Sequence, residues 1–235
     1  MIFNKEKETN SVIIFLHIPK TAGSTFNSLI EKQYENNYTM ISPKYGEEKV
    51  ADYFNAIGPK EKLEVVRGHF PFGVHKYLPQ KNFTYITFLR DPIERVISAY
   101  YYMKSNPIHP YYYKMNQTSL YEFVSEKAFH WAVYNRQTCL LNGHGWNYDL
   151  DVAKENITKY FSVVGITERF NESIKLLNDS LGWNICNISK VNVNPNKPKK
   201  SEIANEVREV IKEKNQKDIE LYQLATHLLD RKLKN

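Results

Sequence analysis

Apolar positions along the chain follow two periods. Runs rich in β-branched and aromatic residues, with no regular polar face, occur at Ile13-Ile14-Phe15-Leu16, at Leu63-Glu64-Val65-Val66-Arg67-Gly68-His69, at 83–90 and at 161–166. Each reads as a strand buried within a sheet. Between them apolar residues recur at helical spacing. The spacing predicts helices over 24–34, near 48–57, and over 92–104, 120–129, 131–141, 149–159 and 168–181, with a long terminal helix capped by Ser201. Asp91-Pro92 places an N-cap residue and a proline at the first helical position of the segment 92–104. Turn signals at Ser42-Pro43, Gly58-Pro59, Pro71, Gly73 and Pro79 interrupt the pattern, and the Asn-, Pro- and Lys-rich stretch 186–200 is a loop.

Strands separated by helices imply an α/β fold: a P-loop-like, mostly parallel central sheet with helices on both faces. Ligands of such sheets gather at the carboxyl ends of the strands. Four features lie there, namely the loop at Lys20, the corner Gly68-His69, the corner at Arg90 and the turn after Ile166.

The first of these carries the clearest chemistry. In Pro19-Lys20-Thr21-Ala22-Gly23-Ser24-Thr25 a strand stops, small and hydroxyl residues follow, and a helix begins. Unpaired N–H groups of a first helical turn, the helix dipole, a glycine that permits close approach, two hydroxyls and a lysine make a cradle for a phosphate-like anion. The lysine precedes the only glycine, so the Walker pattern of Gly, four residues and Gly-Lys-Ser/Thr is absent. Arg90, at the end of the third strand, and Ser98, about two turns into the next helix, are both within reach of an anion above that strand. A structural ion pair of Arg90 with Asp91 or Glu94 is the competing reading. The tyrosine triplets 100–102 and 111–113 suit stacking on a base or sugar, although packing is the commoner role of such residues.

Composition narrows the picture. With 235 residues and 42% hydrophobic content the chain reads as one domain over 1–235. A net charge of +6 suits an anionic cofactor or acidic acceptor without calling for nucleic acid. Cys139 and Cys186 have neither metal-type nor disulfide-framework spacing, no clustered ligand set for a metal is evident, and a reducing compartment follows. No signal-peptide pattern or membrane-length apolar run occurs, so the expectation is a soluble, cytoplasmic protein.

Taken together, His17-Ile18-Pro19-Lys20-Thr21-Ala22-Gly23-Ser24-Thr25 and Phe88-Leu89-Arg90-Asp91-Pro92-Ile93-Glu94-Arg95-Val96-Ile97-Ser98 resemble the paired motifs of the sulfotransferase superfamily, closest in pattern to the carbohydrate sulfotransferases typified by heparan sulfate 2-O-sulfotransferase. Gly68-His69, 164–168 and 194–198 are weaker matches. The resemblance implies that Lys20, Thr21, Ala22, Gly23, Ser24 and Thr25 hold the 5′-phosphosulfate of 3′-phosphoadenosine 5′-phosphosulfate (PAPS), that Arg90 and Ser98 hold its 3′-phosphate, and that the loop near 197–200 closes over the nucleotide. It implies a hydroxyl acceptor, a sugar or glycan. Sulfuryl transfer needs in-line placement and charge neutralisation, a task suited to Lys20, and no metal in principle. A base must take the acceptor proton: His69 is the best-placed candidate and His75 the reserve, with His17 read as part of the fold. Related 2-O-sulfotransferases carry His-Gly-His where this chain has Arg67-Gly68-His69, so a single-base mechanism is expected. A P-loop small-molecule kinase or NTPase, and a nucleotide-binding module without turnover, are the alternatives.

Overall fold

The computed structural model describes residues 11–34, 38–41, 63–79, 82–185 and 202–234. Among them five strands form one parallel sheet: β1 (Ser11–Leu16), β2 (Tyr38–Ile41), β3 (Val65–Gly68), β4 (Asn82–Leu89) and β5 (Phe161–Ile166). Their spatial order is β2-β3-β1-β4-β5. Chain progress runs from β1 toward β2 on one side and from β4 toward β5 on the other. Right-handed crossovers in opposite directions place the intervening helices on opposite faces. The expected α/β architecture is what forms.

Helix α1 (Gly23–Tyr34) follows β1, and α2 (Pro92–Ser105) follows β4. Asp91 caps α2 as its sequence suggests, its Oδ1 accepting from the N–H of Glu94 at 2.9 Å, with Pro92 in the first turn. Short helices α3 (Tyr112–Asn116), α4 (Leu120–Ser125), α5 (His130–Val133) and α6 (Arg136–Asn142) lead to α7 (Leu150–Tyr160), which precedes β5. Helices α8 (Phe170–Leu181), α9 (Asn205–Lys214) and α10 (Gln216–Lys234) complete the described chain. Fully buried Ile14, Phe15, Leu16, Tyr85, Ile86 and Leu89 centre one core on the sheet, and Val96, Met115, Phe123, Phe129 and Ile211 centre another between α2 and the short helices. No helix among the described residues is long and apolar enough to cross a membrane.

The structure departs from the sequence pattern at four places, the first being the expected helix 120–129, which ends at Ser125 because Glu126 is extended. Strand β2 is a four-residue edge strand inside a stretch whose polarity hid it. The expected helix 131–141 breaks at Asn135, whose φ of 36° is left-handed, and the long terminal helix breaks at Asn215. The last two breaks are one interaction. The N–H of Asn135 donates to Oδ1 of Asn215 at 3.1 Å, and Oδ1 of Asn135 accepts from the N–H of Asp218 at 3.1 Å. Both asparagines are buried, so these bonds override local helix propensity. The expected helix 48–57, Ser201, and the loop 186–200 with Cys186 lie outside the described residues.

Fully buried Asp218 completes this joint. Its Oδ2 accepts from the N–H of Gln137 at 3.0 Å, and its Oδ1 from the N–H and hydroxyl of Thr138 at 2.7 and 2.8 Å. It thus caps α6 from another helix. Burial pushes its carboxyl upward, while the Arg95 guanidinium and these donors pull it down. Arg95, itself fully buried, also donates to the carbonyls of Ala132 and Val133 at 3.0 and 3.2 Å. Asp218→Ala removes three accepted bonds and the countercharge of a buried guanidinium. The expected loss is about 3–5 kcal/mol of unfolding free energy in urea titration; a loss below about 1 kcal/mol contradicts this role.

Candidate functional site

Strands β3, β1 and β4 are adjacent, so their carboxyl ends bring three loops side by side at the point where the sheet order reverses. Their ends are fixed to one another. The N–H of His17 donates to the Gly68 carbonyl at 2.9 Å, and the Thr87 hydroxyl to the Leu16 carbonyl at 2.8 Å.

After β1 the chain turns through Lys20 at φ 74° and Ala22 at φ 64°, left-handed values that residues with a Cβ seldom take. The Thr21 hydroxyl is buried and donates to the Ile18 carbonyl at 2.8 Å, so it shapes the loop. Helix α1 then starts at Gly23, and its first turn contains no acidic residue to compete for an anion. Ser24 is exposed and Thr25 buried. Gly23 has a steric reason: a Cβ there would lie 1.6 Å from Nε2 of His17.

Arg90 meets this loop from β4. Its Nη1 donates to the Lys20 carbonyl at 3.0 Å, and its Nε lies 3.8 Å from Glu168. Its backbone is clamped by Gln137, whose Oε1 accepts from the Arg90 N–H at 2.9 Å while Nε2 donates to the Arg90 carbonyl at 2.9 Å. The Lys20 ammonium lies 3.7 Å from the centre of the Tyr102 ring on α2. Ser98 stands one turn before Tyr102, on the same face of the helix, so that face is turned toward the Lys20 loop. Lys20 and Arg90, separate in sequence, therefore border one region, and Ser98 lies on the helix face that Tyr102 presents to it. Burial, then the neighbouring Arg90 charge, lowers the Lys20 ammonium to about 8.

His69 approaches from β3. Its Nδ1 lies 2.7 Å from the His17 carbonyl, which can only accept, so Nδ1 carries the proton and Nε2 of the neutral ring keeps a lone pair. Burial lowers its pKa; the bond to His17 works against that shift, and the charges of Arg136 and Lys20 add to it. The His17 ring, buried and also shifted well down by burial, stands 4.2 Å from the His69 ring. Two imidazoles thus meet here although the motif after β3 supplies one. Arg67 is committed elsewhere, donating to the Asn27 carbonyl at 2.9 Å and to Glu31 at 2.6 Å. His75 sits apart: its Nδ1 lies 2.9 Å from the Tyr85 hydroxyl, and its ring stacks on Phe83 and Tyr160, near the amino-terminal ends of β4 and β5.

Sequence patterns did not disclose Gln137, Arg136 or Tyr102 as neighbours of this region. Only the tyrosine triplet gave a signal, and it reads equally well as packing.

The family model for galactose-3-O-sulfotransferase matches residues 3–235. The chain belongs to that family. It is 28% identical over 200 residues to human heparan sulfate 2-O-sulfotransferase 1, covering 75% of this chain and 56% of that one. It is 24% identical over 219 residues to pig galactose-3-O-sulfotransferase 2, covering 79% and 52%. The chain thus spans about half the length of these curated relatives. The solved structure of mouse sulfotransferase SULT7A1 complexed with PAP (3′-phosphoadenosine 5′-phosphate) aligns with a TM-score of 0.46 and 17% identity, covering 76% of this chain and 61% of that one.

The lowered Lys20 pKa gives this family member a measurable signature. A bound anion favours the protonated amine, so PAP affinity should be flat below about pH 7.5 and fall as pH rises through about 8, by up to about tenfold per unit. In Lys20→Arg the fall should vanish up to about pH 9.5, because the guanidinium stays charged. Isothermal titration across this range checks it, and a flat wild-type profile contradicts it.

Proposed function

We propose that this chain is an enzyme that moves a sulfuryl group from PAPS to a hydroxyl on a carbohydrate by in-line displacement, with His69 as the base. The observation that carries the reading is the hydrogen bond of Arg90 to the Lys20 carbonyl, which sets a guanidinium beside the strained loop at the start of α1. Two cationic corners side by side suit a nucleotide with phosphates at both ends. Membership of a sulfotransferase family supports the same donor and a sugar acceptor.

In this mechanism Nε2 of His69 takes the proton as the acceptor oxygen bonds to sulfur. The bond between sulfur and the bridging phosphate oxygen breaks, and PAP leaves. Lys20 and the first-turn N–H groups of α1 neutralise the charge that develops on that phosphate. Arg90 and Ser98 hold the 3′-phosphate, which orients the donor without touching the reacting bond. Lowered by burial, the His69 ring is neutral at pH 7 and ready to accept a proton.

Thermal unfolding discriminates donors: PAP should raise the melting temperature strongly and ATP with magnesium weakly, whereas the reverse order points to a kinase. His69→Ala should lower sulfuryl transfer from PAPS by about 10²–10⁴-fold while leaving PAP affinity within about twofold. Unchanged turnover in that variant removes His69 from the base role.

A further inference from the structure

Beyond His69 along the chain is a feature that the donor site does not use. The segment after His69 docks on α6, where the N–H of Phe72 donates to the Leu140 carbonyl at 2.7 Å. Gly143, at the end of α6, is also held close, since a Cβ there would lie 2.7 Å from the Phe72 carbonyl oxygen. The next turn is over-determined. Gly143, Gly145 and Tyr148 all have positive φ, the Cys139 thiol donates to the Gly145 carbonyl at 3.1 Å, the N–H of His144 donates to Asn142 at 2.7 Å, and Lys217 donates to the Tyr148 carbonyl at 2.8 Å.

What this turn displays is Trp146, 57% exposed, with the Arg136 guanidinium 5.1 Å from its ring centre. Arg136 occupies the first turn of α6, is partly exposed, and has no ion-pair partner among the described residues. Its closest polar contact shown is weak, Nη1 to the Cys139 sulfur at 3.7 Å. Nearby Tyr134 and Tyr148 extend the aromatic surface, their rings 4.9 Å apart. An aromatic plane and a planar five-donor cation held side by side at the surface offer a stacking face and a bidentate hydrogen-bond donor together.

We propose that Trp146 and Arg136 form the acceptor subsite, with the indole stacking on a pyranose ring and the guanidinium pairing with an acidic group, a carboxylate or a sulfate ester, on that sugar or its neighbour. This deepens the carbohydrate-acceptor reading and rests on it. The arrangement matches the chemistry of an acidic glycan: a C–H face that packs on an aromatic plane, and an anion that takes two parallel bonds from arginine. The subsite is joined to the base through the chain, since the segment after His69 docks on the helix that carries Arg136.

Binding to the PAP-loaded protein tests this without turnover. A hyaluronan hexasaccharide (carboxylate only), a carrageenan oligosaccharide (sulfate ester only) and maltohexaose (neutral) are titrated calorimetrically into wild type, Arg136→Gln, Arg136→Lys and Trp146→Ala. At least one acidic oligosaccharide should bind at least tenfold tighter than maltohexaose. Arg136→Gln should remove that preference, Arg136→Lys restore part of it, and Trp146→Ala weaken binding about tenfold or more, all with PAP affinity and melting temperature near wild type. No acidic oligosaccharide binding, equal affinity for neutral and acidic ones, or variants that bind like wild type overturn the proposal. Because PAP affinity is measured on the same samples, loss of the donor reading is recorded separately.

Discussion

A single hydrogen bond closes the site: the Arg90 guanidinium to the carbonyl of Lys20, between residues 70 positions apart in the chain. Left-handed φ at Lys20 and Ala22 opposes loop formation by about 1–2 kcal/mol per residue. The strain persists because its surroundings dictate it. Arg90 takes the outward carbonyl, Thr21 fastens the loop to Ile18, and His17 fills the space that a side chain at position 23 would need. A parallel sheet makes the closure possible, since it brings the ends of β3, β1 and β4 to one edge with no further folding of the loops.

Rigidity behind the site comes from a buried polar joint. From Asp218 on α10 bonds run to Thr138 and to Gln137 of α6, and from the Gln137 side chain to both backbone groups of Arg90. The backbone of Arg90, whose side chain is largely buried, is therefore held by a fully buried amide. The same α6 presents Arg136 in its first turn, which couples the donor corner to the surface at Trp146 through one short helix. The tautomer of His69 is set by the carbonyl of His17, the residue that follows β1 and precedes the Lys20 loop.

Most of the sheet was legible in the sequence because its signals are local. The β-branched runs that became β1, β3, β4 and β5, and the Asp91-Pro92 start of α2, each depend on neighbours within a few residues. The joining of the Lys20 and Arg90 loops followed from sheet topology. What stayed hidden depends on partners far along the chain. Asn135 and Asn215 break two helices by bonding across 80 residues, and Gln137 reaches Arg90 across 47. Nothing local to Arg67 marks its pairing with Glu31, and nothing local to His17 marks its place against His69. The separation of His75, the reserve base in the sequence reading, from the site was hidden too, because it comes from packing on Phe83 and distant Tyr160 at the amino-terminal ends of β4 and β5.

The central claim is that two strand ends divide the labour of holding one nucleotide, Arg90 at its 3′-phosphate and Lys20 at its 5′ end. Comparing the affinities for PAP and for AMP, which lacks the 3′-phosphate, in wild type, Arg90→Ala and Lys20→Ala tests that division most directly. The account predicts that wild type prefers PAP by about tenfold to a hundredfold, that Arg90→Ala loses the preference, and that Lys20→Ala binds both more weakly while keeping it. Equal affinity of the wild type for PAP and AMP, or a preference that survives in Arg90→Ala, would contradict it.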